Sequence, residues 1–242
     1  VKDAQIGQRV IATLQGGGYA EYATAKSAQV IPLPDDLDFG KATALLVQGL
    51  TALGLLKNLR AGQSVLVHAA AGGVGSLLVQ LAKSKGARVI ATASTREKLD
   101  IVKNLGADAG INYTEADWTE QVLAATEGNG VDLLIEMVGG ETGAQNVKCL
   151  AQGATMIVYG AASGKDFSIS ALGLLGKNLT VRGYYLYGET PDTLAGFTKE
   201  LMSYMSEGRL QITVREFPLD QAAEAHRAIE GRRTTGKVVL TI

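Results

Sequence analysis

The middle of the chain alternates between short apolar runs and longer segments with helical periodicity. The apolar runs predict strands at residues 64–68, 88–93, 109–112, 131–136 and 154–159, and the segments between them predict helices at 73–85, 95–105, 117–126 and 141–150. Val65-Leu66-Val67 and Leu133-Leu134-Ile135 are apolar at every position, as is typical of strands buried on both faces. This alternation predicts an α/β fold built on a doubly wound parallel sheet.

The two flanks of this region have other patterns. Leu179 to Tyr185 predicts a sixth strand, and it is followed by a helix at 191–206, a strand at 211–216, a helix at 220–230 and a strand at 238–242. Near the front, apolar pairs separated by turn residues predict antiparallel strands at 8–12, 16–23 and 28–34, and a helix at 39–57 leads into the sheet. A small β-rich unit is therefore expected ahead of the parallel sheet.

The turn that follows the strand at 64–68 is rich in glycine. It reads Ala70-x-Gly72-x-x-Gly75, opens the helix at 73–85, and is followed by the strand at 88–93. Glycines let a pyrophosphate approach backbone N–H groups, and the positive end of the helix attracts the same anion. This context favours a dinucleotide site, and the alternative is a glycine-rich turn that binds nothing.

The residues after the strand at 88–93 indicate which dinucleotide. An Asp or Glu at this point would bind the ribose 2′-hydroxyl of NAD, but the chain reads Ser94-Thr95-Arg96-Glu97-Lys98. A small hydroxyl side chain leaves room for a 2′-phosphate, and Arg96 and Lys98 offer it positive charge, so NADP(H) is predicted. Glu97 is expected on another face of the helix, and Arg96 is equally well explained as a solvated helix residue.

Composition narrows the class of protein only a little. The chain has 242 residues, a net charge of −1 and 46% hydrophobic residues, with no basic run, acidic tail or long apolar stretch. Neither a nucleic-acid partner nor a membrane partner is therefore expected, and a cytoplasmic location is predicted. The single cysteine, Cys149, lies in an apolar helical context and is expected to be structural.

A metal site is not predicted. A catalytic zinc needs three protein ligands, whereas His68, Cys149 and His226 are far apart in the sequence. His226 lies in an amphipathic helical pattern, where packing is the simpler interpretation. His68 ends a strand near the expected cofactor, and its role stays open.

Several motifs together resemble a known family. The chain is similar to the quinone oxidoreductases, the zeta-crystallin-like branch of the medium-chain dehydrogenase/reductase superfamily. The similarity runs through essentially the whole chain and rests on six motifs in the family's order, Gly17-Gly18-Tyr19-Ala20-Glu21-Tyr22, Val47-Gln48-Gly49-Leu50-Thr51-Ala52, His68-Ala69-Ala70-Ala71-Gly72-Gly73-Val74-Gly75, Val138-Gly139-Gly140, Tyr159-Gly160-Ala161-Ala162-Ser163-Gly164 and Thr235-Gly236-Lys237-Val238-Val239-Leu240.

The resemblance implies a domain organisation. Residues 1–44 would be a remnant of a GroES-like catalytic domain, 45–187 a Rossmann NADP-binding domain, and 188–242 a segment that returns to the catalytic domain. Family members begin with a complete GroES-like domain, so most of that domain is expected to be absent here. The substrate side of the cleft could then be open.

The resemblance also implies site residues. Gly72, Gly73, Val74 and Gly75 would hold the pyrophosphate, and Ser94, Lys98 and Tyr113 would surround the 2′-phosphate. Thr51 and the backbone around Val138, Gly160 and Ala161 would flank the nicotinamide, while Arg232 and Lys237 would close over the cofactor. For Tyr113 the alternative is a capping aromatic at a strand end, and for Thr51 it is a hydroxyl bonded to its own helix.

The expected activity is zinc-independent hydride transfer from NADPH to a quinone or an α,β-unsaturated carbonyl compound. No proton donor is identified; Tyr185 and Tyr187 are the nearest candidate phenols, and solvent is the alternative. Two other functions stay open, a crystallin-like NADPH-binding protein with little turnover and an enoyl-thioester reductase. A homodimer is expected, because the strand at 179–185 would leave an apolar edge of the sheet unprotected.

Overall fold

The computed structural model describes residues 5–242. Its strands are β1 (Val10–Ala12), β2 (Val30–Pro32), β3 (Ser64–Val67), β4 (Arg88–Ala93), β5 (Ala109–Asn112), β6 (Val131–Glu136), β7 (Leu150–Val158), β8 (Thr180–Gly183), β9 (Val214–Pro218) and β10 (Lys237–Thr241). Its α-helices are α1 (Phe39–Ala44), α2 (Leu50–Leu55), α3 (Gly73–Ser84), α4 (Arg96–Asn104), α5 (Trp118–Ala125), α6 (Gly140–Gln145), α7 (Ala171–Lys177), α8 (Pro191–Ser206) and α9 (Ala222–Glu230).

The central element is a parallel sheet with strand order β5-β4-β3-β6-β7-β8. The chain runs outward from β3 to β5, then crosses back and runs outward again from β6 to β8. The two halves therefore diverge between β3 and β6, which is where doubly wound proteins bind ligands at the carboxyl ends of their strands. The predicted Rossmann topology is confirmed.

Both faces of the sheet are covered, which explains the continuous apolar strands. Val65 and Val67 pack into one core with helices α2, α3 and α8, whereas Leu66 points the other way into a second core with Trp118 and Met156. Successive side chains of a strand point to opposite faces, so a strand that is covered twice needs an apolar residue at each position.

The front of the chain differs from the prediction in one element. β1 and β2 pair antiparallel as expected, but residues 16–23 form bends and irregular backbone, so the strand predicted there is wrong. Gly16, Gly17 and Gly18 lie in this segment, Gly17 has a φ of +71°, and residues 16–23 are exposed. Such a segment has neither a neighbouring strand nor a core to hold it extended.

Three other predicted elements differ, and one helix has no counterpart in the prediction. The helix predicted at 39–57 is interrupted by a π-helical turn at Leu45–Gly49, between α1 and α2. The helix predicted at 141–150 is α-helical only to Gln145 and continues as a 3-10 helix at Asn146–Cys149, and Leu150 already begins β7. Helix α7 is not predicted by the sequence pattern. The strand predicted at 211–216 is displaced to β9, which pairs in parallel with β10 in a separate small sheet.

Of the predicted front unit at 1–44, residues 1–4 lie outside the described part of the chain. In the part described, no helix is both long enough and apolar enough to cross a membrane.

Candidate functional site

One cleft, with a volume of about 320 Å³, lies over the carboxyl ends of the strands where the strand order reverses. It collects residues from the glycine-rich turn, the ends of β4, β5 and β6, and the segment before β10. The predicted site residues that line it are Gly72, Gly73, Ser94, Lys98, Tyr113, Val138, Arg232 and Lys237. The fold thus brings together predicted site residues that are up to 165 positions apart, from Gly72 to Lys237.

The glycine-rich turn forms the middle of the cleft. Ala69 has a φ of +48°, and its carbonyl accepts the Gly72 N–H at 2.9 Å, which folds the turn tightly before α3. The N-cap residue of α3 is Gly72, which has no side chain with which to cap the first N–H groups of the helix. A helix start of this kind attracts an anion.

Gly75 is required by packing. A Cβ at this position would come within 2.5 Å of the Ala69 carbonyl oxygen and 2.7 Å of the Ala70 Cα. Both are backbone atoms of the same turn, so neither can move without reshaping it. Gly75 does not itself line the cleft. Its lack of a side chain allows α3 to pack against the glycine-rich turn, which lines the cleft.

The end of the cleft at β4 and β5 is positively charged. Lys98 Nζ donates to the Arg232 carbonyl at 2.5 Å, and Arg232 Nη1 donates to the Tyr113 hydroxyl at 3.2 Å. Burial lowers the pKa of Lys98, and the nearby Arg232 guanidinium lowers it further. Ser94 lines the same end, while Arg96 and Glu97 are exposed and lie outside the cleft lining.

The segment before β10 covers the turn. The Gly236 N–H donates to the Ala71 carbonyl at 2.9 Å, and Gly236 pairs with Gly72 in a parallel bridge. Gly236 has a φ of +63°, and a Cβ there would lie 2.2 Å from the Thr213 carbonyl oxygen. Lys237 follows directly, with a pKa lowered by burial. This anchoring brings Arg232 and Lys237 back onto the cleft.

The other end of the cleft consists mainly of backbone and apolar side chains. Met137, Val138 and Ala162 line it, and two loops meet there. The Ala162 N–H donates to the Met137 carbonyl and the Ser163 N–H to the Val138 carbonyl, both at 2.8 Å. This end lies over β6 and β7, the second half of the sheet.

Gln48 is a lining residue that the sequence analysis did not identify. It belongs to the π-helical turn, and its carboxamide lies where a Cβ on Gly73 would be, with Nε2 only 2.3 Å from that position. Its Oε1 is buried and has no hydrogen-bond partner among the residues that the structure describes. A polar group in this state, next to the glycine-rich turn, is suited to a ligand's hydrogen bond.

Further lining residues were also missed, namely Ala69, Ala71, Ala93, Met137, Ala162, Ile229, Thr234, Gly236 and Val238. Some of them, such as Ala162 and Gly236, belong to the motifs that carry the family resemblance. Ile229 and Thr234 have no signal in the sequence, because only the return of the C-terminal segment brings them to the cleft.

Four more predicted residues do not line the cleft. The Thr51 hydroxyl donates to the Val47 carbonyl at 2.6 Å within its own helical segment, and Val74 packs against the core. Gly160 and Ala161 lie in the loop behind Met137; a Cβ on Gly160 would contact the Met137 side chain at 3.4 Å. Their predicted roles next to the cofactor stay predictions.

The histidines and the cysteine are separate from one another. His68 is buried and hydrogen-bonds Thr92 and Asn146, both at 2.8 Å, while burial raises the pKa of Cys149 to about 12. His226 is exposed and bonds the Tyr19 hydroxyl at 2.9 Å, so its interpretation as a packed residue is wrong. Within residues 5–242, no three His, Cys, Asp or Glu side chains gather in a way that could hold a metal ion.

Comparison with known proteins identifies relatives of this chain in sequence and in fold. Residues 73–202 match the model of the zinc-binding dehydrogenase family. A quinone oxidoreductase from Pseudomonas aeruginosa is 34% identical over 98% of this chain and 75% of its own length. The structure of Escherichia coli quinone oxidoreductase complexed with NADPH has a TM-score of 0.93 at 31% identity, over 100% of this chain and 77% of that one. The CurK enoyl reductase has a TM-score of 0.87 at 26% identity, with 100% and 74% covered.

Proposed function

This chain belongs to the quinone oxidoreductase family of the medium-chain dehydrogenase/reductase superfamily, and on that premise we propose that it uses NADPH to reduce a quinone or an α,β-unsaturated carbonyl compound. The observation that carries the proposal is a single cleft at the reversal of strand order, with the glycine-rich turn at its centre. An extended dinucleotide matches this cleft, because its pyrophosphate needs bare N–H groups and its two nucleosides would then lie over the two halves of the sheet.

The charge at the β4 end supports NADP(H) as the cofactor. Lys98 and Arg232 lie together there, and no Asp or Glu is among the residues that line the cleft within the described range. Two neighbouring cations without a carboxylate gain a partner when a 2′-phosphate binds between them. The Ser94 and Tyr113 hydroxyls are further hydrogen-bond partners for that phosphate.

The opposite end is suited to the nicotinamide. When bound, NADPH supplies a hydride to the acceptor. The chain's part is to orient the reactants: Met137, Val138 and Ala162 form a rigid floor because their loops are joined by backbone hydrogen bonds. None of these side chains carries an acidic proton, so the proton in this proposal comes from solvent. Tyr185 and Tyr187 are exposed and lie outside the cleft lining.

The proposed reaction does not use zinc, although the matching family model is that of zinc-binding dehydrogenases. A catalytic zinc takes three protein ligands. His68 is engaged by Thr92 and Asn146, the Cys149 thiol is held protonated by burial, and His226 lies on α9. These three side chains therefore do not form a zinc site together.

Turnover is the test of this function. Purified protein mixed with NADPH and p-benzoquinone is expected to lose NADPH absorbance in proportion to protein, and crotonyl-CoA is the comparison substrate. Faster reaction with the thioester would favour an enoyl-thioester reductase, the alternative that the likeness to CurK enoyl reductase supports. NADPH that binds but is oxidised by neither acceptor would favour the crystallin-like alternative.

We also propose a homodimer formed through the free edge of β8. Among the described residues β8 pairs only with β7, and apolar side chains are exposed on the preceding helix α7 and just after the strand: Leu172 and Leu175 are each 78% exposed, and Tyr185 is 72% exposed. An open edge next to apolar surface favours pairing with a second copy about a twofold axis.

Val181→Pro tests the dimer without breaking the sheet. The Tyr184 N–H donates to Val158 at 2.9 Å, so by the two-residue period of a strand the Val181 N–H faces the free edge. Light scattering at micromolar concentration is expected to give a dimer mass for the unmodified protein and for Val181→Thr, and a monomer mass for Val181→Pro. A monomer mass for the unmodified protein would contradict the proposal.

A further inference from the structure

A buried carboxylate lies directly beneath one end of the cleft. Glu136 ends β6 with a side chain that is 0% exposed. Its Oε1 accepts the Gly139 N–H at 2.7 Å and also the Val138 N–H, and its Oε2 accepts from Asn146 Nδ2. Val138 itself lines the cleft, so the carboxylate is hydrogen-bonded directly to the backbone of a residue in the cleft wall.

The hydrogen bonds around Asn146 define a direction. Asn146 Nδ2 faces Glu136 Oε2 and, at 3.7 Å, the Met156 sulfur, so both of its neighbours are acceptors. Asn146 Oδ1 then faces His68 Nε2 at 2.8 Å and must accept a proton from it. His68 therefore carries its proton on Nε2, and its Nδ1 accepts from the Thr92 hydroxyl at 2.8 Å.

In this arrangement the Glu136 charge has no cationic partner. Burial lowers the pKa of His68 and outweighs the opposing effect of Glu136, so the imidazole is neutral. In residues 5–242, no lysine or arginine forms an ion pair with Glu136, and the basic side chain that lies near it is this neutral imidazole, whose Nε2 is 3.7 Å from Glu136 Oε2. Burial, assisted by Glu136, raises the pKa of Tyr159, which keeps this neighbouring phenol neutral as well. Only N–H dipoles stabilise the carboxylate.

We infer that Glu136 tunes the cofactor, by holding an unpaired negative charge beneath the nicotinamide half of the cleft and so favouring the oxidised, cationic ring. This rests on the proposed NADPH site. The ring is neutral in NADPH and gains a positive charge when the hydride leaves with its electron pair for the acceptor. A fixed buried anion interacts with only one of these two states, and its effect is not diluted by water. Glu136 thereby makes the bound cofactor a stronger hydride donor.

Glu136→Gln removes the charge and can keep the network. The Gln Oε1 can accept the same two backbone N–H groups, and its amide nitrogen can donate to a rotated Asn146. Asn146 would then donate to His68 Nε2, and His68 would carry its proton on Nδ1 and donate to Thr92. The hydrogen bonds that link Glu136 to Asn146, Asn146 to His68 and His68 to Thr92 each reverse, and only the long Asn146 contact to the Met156 sulfur is lost.

The test compares the unmodified protein with its variants: the affinities for NADP⁺ and for NADPH are measured by titration calorimetry without acceptor. Glu136→Gln is expected to weaken NADP⁺ binding by about fivefold or more relative to NADPH binding. The control is Thr92→Val, which perturbs the same network and leaves the carboxylate, and it is expected to leave the ratio of the two affinities unchanged. An unchanged ratio in Glu136→Gln, or an equal change in Thr92→Val, would overturn the inference.

A second measurement needs no variant. Nitrogen NMR of histidine-labelled protein reports the His68 tautomer, and the inference expects the proton on Nε2. A proton on Nδ1 alone would place the Asn146 oxygen toward a Glu136 that carries a proton, and protons on both nitrogens would give His68 a charge that pairs with Glu136. Either result would overturn the inference even if Glu136→Gln does not fold. If the unmodified protein bound neither form of the cofactor, the proposed function itself would fail.

Discussion

Gly75→Val is expected to abolish measurable NADPH binding. A Cβ at Gly75 would lie within 2.9 Å of three backbone atoms of Ala69 and Ala70, and those atoms shape the turn that cradles the pyrophosphate. The larger side chain can be fitted only if α3 moves away from the turn, which separates the helix N-terminus from the anion. Overpacking of this kind costs about 1–3 kcal/mol of stability, so most of the fold should remain while the cradle is lost.

The measurement is fluorescence titration with NADPH, together with thermal unfolding to establish that the variant is folded. Gly196→Val is the matched control, because Gly196 lies in α8 and a Cβ there meets no atom within 4 Å. The control should bind NADPH as the unmodified protein does. A folded Gly75→Val protein with unchanged affinity would mean that the turn has only a structural role.

The sheet could be predicted because its signals are local. Strands covered on both faces are apolar at each position, and the helices between them have their own period, so β3 to β7 and their assembly into a parallel sheet follow from the pattern alone. The segment at 16–23 could not be predicted in the same way. Its apolar pairs resemble a strand, but an extended conformation depends on a partner strand, and that information is not local.

The site residues differ in the same way: some have a local signal in the sequence, and others depend on contacts between distant segments. Gly72, Gly73, Ser94 and Lys98 could be predicted, because they sit directly after strands whose carboxyl ends meet at the reversal of strand order. The roles of Gln48 and Thr234 as lining residues, and the network below Val138, arise only from packing between distant segments. Thr51 illustrates the converse: its position in a motif suggested the cleft, and its hydroxyl instead bonds Val47.

The protein is expected to bind NADPH at least about tenfold more tightly than NADH, since a charged hydrogen bond contributes roughly 1.5–3 kcal/mol. Lys98 Nζ already donates to the Arg232 backbone carbonyl, so its ammonium is held at the place where the cleft has no carboxylate. Lys98→Ala should remove most of this preference by weakening NADPH binding, and should leave NADH binding nearly unchanged because NADH has no 2′-phosphate.

The matched control for Lys98→Ala is Arg96→Ala, which removes one positive charge from the same helix. Arg96 is exposed and lies outside the cleft lining, so its loss changes the net charge equally but removes no contact to the phosphate. Both cofactors are titrated against both variants at moderate salt, where exposed charges are screened. This distinguishes a direct contact between Lys98 and the phosphate from long-range attraction by the net charge. If the two variants lost NADPH affinity equally, or if the unmodified protein bound NADH as tightly as NADPH, Lys98 would not be the residue that recognises the 2′-phosphate.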